Sequence, residues 1–598
     1  MFKDIGDLDE IQAALDQGLP TMRPSDVWGA LSRLAKIKSP KGRGGELSSL
    51  ESLEAWQSQQ QELAAQLTDA LCSTQQGGRQ VAMVDKLQLW QLANVLWAWA
   101  KLQHWPQEHF MRLMGRFVDG AASGGSSHMR PQALSNTAWA LGTSWKVWQQ
   151  VRIQSWHPSK RAMGDLMGRL LASSLPLISS MEAQNVSNML LAAVYADVQL
   201  PAGFATKAVQ RLCVLLPGLP DAGLSPQQLS NSLWALASLQ CKGCEGLLKA
   251  AAALVVRGSM RDRPQGWSNL LWAYAKFEHY DPLLCDHMAH AVVQQGIMRG
   301  ATSQGGSNLL WAYAMLRHYD ELLFKLGVDQ CRALLQHTVP QSMSQNMANT
   351  LLACAIVYHL PGVTELLDSM LPHIQAKQGQ MEGQHICNSC WSLAVLLEPG
   401  SHPAMEALMR EVGSHPGSFT PEGLRQLWQA HLELQDQGLG HMGLQGQLLE
   451  AAQQAWTERV AAYDYGMSDM QRQVEEALQR LATKYNFKVE REGTTPDGLF
   501  SVDILVSMPG AHGQELLLLA VEVDGPSHFM ANLPTRYDGG TRLRNRQLGR
   551  LAKRGLAGLV LVGYHEWFFK SDPEHEEVMR RKLGEVVPGW VAGAEVAA

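Results

Sequence analysis

Eight stretches of this 598-residue chain carry one pattern, and self-similarity at a fixed period admits few architectures. They are WQLANVLWAWAKL from Trp90, QALSNTAWALGTS from Gln132, QNVSNMLLAAVYA from Gln184 and QQLSNSLWALASL from Gln227. QGWSNLLWAYAKF from Gln265, QGGSNLLWAYAML from Gln304, QNMANTLLACAIV from Gln345 and QHICNSCWSLAVL from Gln384 follow, with a weaker ninth copy, GLRQLWQAHLEL, from Gly423. The shared asparagine falls at Asn94, Asn136, Asn188, Asn231, Asn269, Asn308, Asn349 and Asn388, so successive spacings run from 38 to 52 residues. That is the period of two-helix solenoid repeats.

The unit from Ser225 reads as a helix pair. Ser225 is an N-cap and Pro226 a first helical residue, after which Leu229, Leu233, Trp234, Leu236 and Ala237 recur at helical spacing. Two glycines within Gln240–Gly246 break the helix, and a second, Leu247–Val256, ends near Gly258. One such pair cannot bury its apolar faces, whereas stacked neighbours can. The tryptophans three residues after the asparagine (Trp97, Trp139, Trp234, Trp272, Trp311, Trp391) are therefore expected mainly in the core. The longer spacing around Ser144–Arg161 is expected to loop out between repeats.

In all but the first copy the glutamine and asparagine are four residues apart, on one helix face. A side chain that reads bases must vary between repeats, and these two barely do. Their amides are therefore expected to satisfy backbone groups between neighbouring repeats. The residue after the glutamine does vary: Asn185, Gln228, Gly266, Gly305, Asn346 and His385. It lies about 100° around the helix, away from the core stripe. Asn185, Gln228, Asn346 and His385 are thus candidate base contacts, an ordinary solvated face being the alternative.

Composition narrows the classes. With 46% apolar and 18% charged residues the chain folds. A net charge of −6 excludes a wholly basic nucleic-acid coat, so any such contact is local. No apolar run approaches the roughly 18 residues of a membrane span, and no membrane partner is expected. Nine cysteines in this length are not a disulfide scaffold. The pairs Cys241/Cys244 and Cys387/Cys390 have zinc spacing, but Cys390 falls where other repeats carry an apolar helix residue. MFKDIGDLDEIQ is acidic, unlike a transit peptide, and has no signal-peptide apolar stretch.

The Gly/Gln-rich stretch Leu434–Gln447 interrupts the pattern, and the periodicity then changes. An amphipathic helix, Met467–Tyr485, precedes strands Phe487–Arg491, Phe500–Ser507 and Leu516–Val523, with turn signals at Gly493–Gly498 and Pro509–Gly513. A basic helix Thr541–Arg554, a buried strand Gly558–Gly563 and a charged helix Glu574–Lys582 follow. The expected organisation is a helical or partly disordered extension over 1–80, an α-solenoid over 81–435, a linker over 436–466 and an α/β domain over 467–590.

VEVDGPSHF (Val521–Phe529), TRLRNRQLGRLAKRG (Thr541–Gly555) and LVLVGYHEWF (Leu559–Phe568) together resemble the RAP domain. The repeats resemble the octotricopeptide repeats of green-algal organelle proteins and are similar to those of FAST-kinase-like mitochondrial RNA regulators. The resemblance implies a restriction-endonuclease-like fold and a role in organellar RNA processing, rRNA maturation or mRNA stability. It also implies chloroplast or mitochondrial residence, and other RNA-processing proteins as further partners. No Gly-rich phosphate loop, HRD or DFG is present, which excludes a kinase.

Restriction-like nucleases set an Asp on one strand and an acid-x-Lys on the next to hold a metal. Asp503 and Glu522 take the acid positions, and Asp524 stands where the Lys belongs. The three are a candidate Mg²⁺ site, with His528 as general acid or base, in an endoribonuclease reading. A binding reading rests on Arg542, Arg544, Arg546, Arg550, Lys553 and Arg554, which concentrate charge as phosphate contacts require. Tyr564 and Trp567 are candidate stacking residues, Trp567 equally a core residue. The favoured expectation is a cofactor-free binder of single-stranded RNA, the solenoid selecting the segment and the C-terminal domain clamping or processing it. The alternatives are the nuclease and a protein–protein scaffold.

Overall fold

A computed structural model describes residues 7–588, apart from 19–21, 39–49, 74–81, 124–128, 152–157, 219–223, 259–262, 297, 299–300, 336–342, 377–380, 397–402, 416–418, 462–467 and 510–515. Residues 1–6 of the acidic start, Met467, part of the Ser144–Arg161 insertion and most of the Pro509–Gly513 turn lie outside the described residues. The chain divides into two compact units, Met1–Phe277 and Glu278–Ala598.

In the first unit, each repeat is a helix pair whose first helices pack in series: Leu89–Leu102, Pro131–Val151, Ala183–Ala196, Pro226–Ser238 and Pro264–Lys276. Small residues line these contacts, with Ser135, Ser187, Ser230 and Ser232 buried between the helices. Gly142 comes so close to its neighbour that a Cβ would stand 2.8 Å from the Ala192 Cα. Gln103, Asp197 and Gln240 end their helices at φ of 52–53°, the left-handed conformation that closes a helix C-terminus. Three helices, Leu8–Gly18, Pro24–Leu34 and Leu50–Cys72, occupy the first 80 residues. The last two pack on Leu89–Leu102, where the buried Trp99 indole donates to Thr68 Oγ1 at 2.9 Å. The Pro131–Val151 helix runs straight through Ser144, so the first part of the expected insertion is helix.

The second unit continues the pattern with first helices Ser303–Met315, Met343–Val357, Gly383–Leu396 and Pro421–Asp436. The second helices Pro282–Gln294, Glu321–Leu335, Val363–Ala376 and Pro403–Gly413 pack on one another in turn. Gly446–Ala461 is a further helix against Pro421–Asp436, where the sequence suggested a linker over 436–466. The glycines of that stretch make only a short turn between the two.

The α/β module is a four-stranded sheet of β1 (Lys488–Thr494), β2 (Ser501–Pro509), β3 (Leu516–Asp524) and β4 (Gly558–Gly563), paired in that order. The first three are antiparallel, and β4 joins β3 in parallel after a crossover containing Gly539–Leu548 and Leu551–Arg554. The single basic helix expected over Thr541–Arg554 is thus two, bent at Arg550. Alternate strand residues Ile504, Val506, Leu519, Val521, Val560 and Val562 form a core with the Asp469–Tyr485 and Asp572–Val586 helices. The same alternation puts Asp503, Glu522 and Asp524 on the opposite face. Trp567 is fully buried in this core, with its indole on Gln473 at 3.0 Å, and is not a stacking platform.

Candidate nucleic-acid interface

The first helices turn a common face outward. In the first unit Gln132, Gln184, Gln227 and Gln265 are exposed, and Asn136, Asn188, Asn231 and Asn269 half-buried. One turn on, Trp97, Trp139, Trp234 and Trp272 are also half-buried, not in the core as the periodicity suggested. The helix-to-helix contact needs small residues, so the bulky rings go to the side. Trp234 and Trp272 lie 6.0 Å apart between centroids and Trp97 and Trp139 6.4 Å, so the rings run from repeat to repeat. Lys101 and Lys276 sit over Trp97 and Trp272 at 5.4 and 5.5 Å. The amides bond along the row, Asn269 donating to Asn231 at 3.3 Å, whereas backbone groups were their expected partners.

The second unit carries a stripe of the same kind, with exposed Gln304, Gln345 and Gln384 and half-buried Trp311 and Trp391. Gln426 donates to Asn388 at 3.2 Å, and the Trp391 indole donates to Gln429 at 2.9 Å. Gln426 and Gln429 were overlooked in the sequence. Gln426 stands 38 residues after Asn388, in the asparagine's place, and Gln429 in the tryptophan's.

The variable position beside the glutamine faces inward. Asn185 is 6% exposed and accepts from Ser135 at 2.8 Å; Asn346 is 3% exposed and bonds Ser303 and Ser307. Gln228 accepts from the Ser225 backbone N–H at 2.8 Å and so caps its own helix. His385 is half-buried, 3.8 Å from Glu382, and burial pushes its pKa down. These four are therefore structural in place: the face assigned to them was off by one residue.

The basic stretch is also turned inward, against helix C-termini. The end of a helix leaves carbonyls without partners and carries partial negative charge. After Ser303–Met315, Arg317 at φ 51° offers its carbonyl to the Ala531 N–H at 2.7 Å, and Asn532 brackets the Tyr319 backbone in both directions at 2.9 Å. After Met343–Val357, Arg536 donates to the Val357 and Tyr358 carbonyls at 3.0 and 2.9 Å, its guanidinium over the Tyr319 ring. On Gly383–Leu396, Arg546 donates to the Ala394 and Val395 carbonyls. On Pro421–Asp436, Arg550 pairs with Glu433 and Asp436, and Lys553 with Asp436. Arg554, 3% exposed, bridges Asp436 and Asp497, and Arg542 lies over Tyr358. The module therefore docks on four successive repeats, and Arg542, Arg546, Arg550, Lys553 and Arg554, expected to meet phosphate, serve three of those contacts.

Where the module meets the last repeat there is a cavity of about 490 Å³ lined by Arg425, Gln426, Gln429, Arg459, Asp503, Glu522 and His528, among others. Glu522 is held bidentately by Arg544, at 2.8 and 2.9 Å, and Arg544 also reaches the Ser501 carbonyl. Asp503 accepts from the Val523 N–H and Gln471, both at 2.7 Å. Burial, with Glu522 adding, pushes the Asp503 carboxyl up to about 7. Asp524 is buried 3.2 Å from His528 Nδ1, which also meets Thr541 at 3.2 Å; burial pushes its carboxyl up against the pull of His528. Among the described residues no three His, Cys, Asp or Glu side chains converge as metal ligands. With Glu522 occupied by Arg544 and Asp503 by two donors, this arrangement does not fit a divalent cation.

No family model matches the chain, and no curated protein matches it. Among the described residues no helix is long and apolar enough to cross a membrane.

Proposed function

We propose that the protein binds single-stranded RNA along the glutamine–asparagine–tryptophan face of its repeats, acting in organellar RNA metabolism. The observation that carries this is the row of half-exposed indoles and amides, one set in most repeats, on adjacent helices. Unpaired bases of any identity stack on aromatic faces, so a stripe that recurs from repeat to repeat fits binding that does not read the sequence. The likeness of the repeats and the EVDGP-x-H segment to organellar RNA factors supports RNA over DNA, and supports chloroplast or mitochondrial residence. Cleavage has less support, because the acids a nuclease would use are engaged by Arg544, Gln471 and the Val523 N–H.

The test is anisotropy and tryptophan quenching with the full chain against single- and double-stranded RNA of equal length. Single strands are expected to bind and quench. Joint replacement of Trp97, Trp234 and Trp272 by Ala is expected to weaken binding by at least about tenfold, at 1–3 kcal/mol per stacked base. Unchanged affinity in that variant would remove the stripe from consideration.

A further inference from the structure

The stripe leads into the cavity. Asn388 and Trp391 hand their hydrogen bonds to Gln426 and Gln429, and these two line its repeat-side wall. The opposite wall is the sheet, where Glu522 and Phe500 are 4% and 1% exposed, so a strand entering from the repeats stops there. Trp456 meets Phe500 edge-on at 5.8 Å and gives that end an apolar surface.

Its charges are nearly all spoken for. Arg544 holds Glu522, Arg317 meets Asp538 at 3.4 Å and Arg425 meets Glu422 at 3.4 Å. Arg459 is the one lining arginine without an acid partner among the described residues. A single uncommitted guanidinium beside two amides, where the aromatic stripe meets the module, matches a nucleotide's phosphate and base edge.

We propose that this cavity binds one nucleotide bearing a terminal phosphate, the phosphate on Arg459 and the base edge on Gln426 and Gln429. The nucleotide is the end of the strand lying on the stripe, and in that respect the proposal rests on the RNA-binding reading. A volume of about 490 Å³ is within the range of small-ligand sites and accommodates one nucleotide.

One oligoribonucleotide in four forms tests this with the full-length protein: 5′-phosphorylated, 3′-phosphorylated, unphosphorylated at both ends, and circular. One phosphorylated form is expected to bind about tenfold tighter than the circle, and Arg459→Glu to abolish that preference while the circle binds as before. Equal binding of all four overturns the proposal and leaves the stripe reading intact. If no form binds, the stripe reading fails. Calorimetry with nucleoside monophosphates then decides the cavity: binding lost in Arg459→Glu identifies a free nucleotide as the ligand, and no heat overturns the proposal.

Discussion

Arg550 holds the Glu433 carboxylate between its two terminal guanidinium nitrogens at 2.9 and 3.0 Å, and the Glu433 side chain is wholly buried. Glu433 is in the last turn of its helix, where the backbone's own partial negative charge opposes a carboxylate. The module's arginine neutralises both. Breaking a buried pair costs about 3 kcal/mol or more when the remaining charge is stranded, while replacing both partners with apolar groups is often neutral; here Arg546, 3.3 Å from Glu433, keeps the carboxylate partly compensated. Arg550→Ala is therefore expected to lower the urea midpoint of unfolding substantially, and Glu433→Leu with Arg550→Met to lower it less. Equal losses in single and double variants would show that the pair does not hold the module in place.

Much of this was legible in the sequence, and the part that was not has physical causes. The repeats were readable because stacked units meet the same environment, and the strands because one buried face imposes a period of two. Gly558–Gly563 matched to the residue. The outward face of the first helices was not readable: Ser135, Ser187 and Ser230 look like surface and are buried, because parallel helices at close approach need small side chains. Nor was the role of the arginines. Glu433 lies 117 residues from Arg550, and Val395 151 from Arg546, so no local spacing connects donor to acceptor.

Gly539 marks the closest approach of the module to the repeats. A Cβ there would overlap the Ala355 carbonyl and stand 2.8 Å from Val395 Cγ1. Ala355 belongs to the last turn of Met343–Val357, whose backbone cannot yield without loosening the helix end that Arg536 grips. Gly539→Ala is expected to destabilise the protein by about 1–3 kcal/mol. Gly540→Ala, whose Cβ would stand 3.6 Å from Asp538 Oδ1, is expected to be near neutral apart from its helix preference. Thermal melts of the two variants provide the comparison, and a Gly539→Ala melt matching the parent would mean the interface yields there.

The Asp503 carboxyl gives a pH signature. Burial and Glu522 push it up to about 7, while in the unfolded chain it ionises near its ordinary value of 3.8. Between those values the folded protein keeps a proton the unfolded chain has released, so this group's contribution falls as pH rises through the window and levels off above about 7. Asp503→Asn removes the ionisation and keeps a side chain that can bond Gln471 or the Val523 N–H. It is expected to leave stability near pH 4 almost unchanged and to raise it by up to about 4 kcal/mol at pH 8. Urea titrations of both proteins across that range measure it; a constant difference with pH would place the Asp503 carboxylate in a more polar setting.

Salt dependence separates stacking from phosphate neutralisation. Each phosphate neutralised on a single strand adds about −0.7 to the slope of log affinity against log salt. Arg546, Arg550, Lys553 and Arg554 are committed to the repeats, which leaves the rings chiefly Lys101 and Lys276 beside them. Two such contacts give a slope of about −1.4 for a strand without end phosphates, well short of a phosphate-driven binder. Arg546→Ala leaves the Ala394 and Val395 carbonyls without their donor, so it is expected to lower the melting temperature and leave the slope where it was. Affinities measured from low to moderate salt decide this. A slope that flattens by about 0.7 in Arg546→Ala would mean the module lifts from the repeats and gives that arginine to RNA.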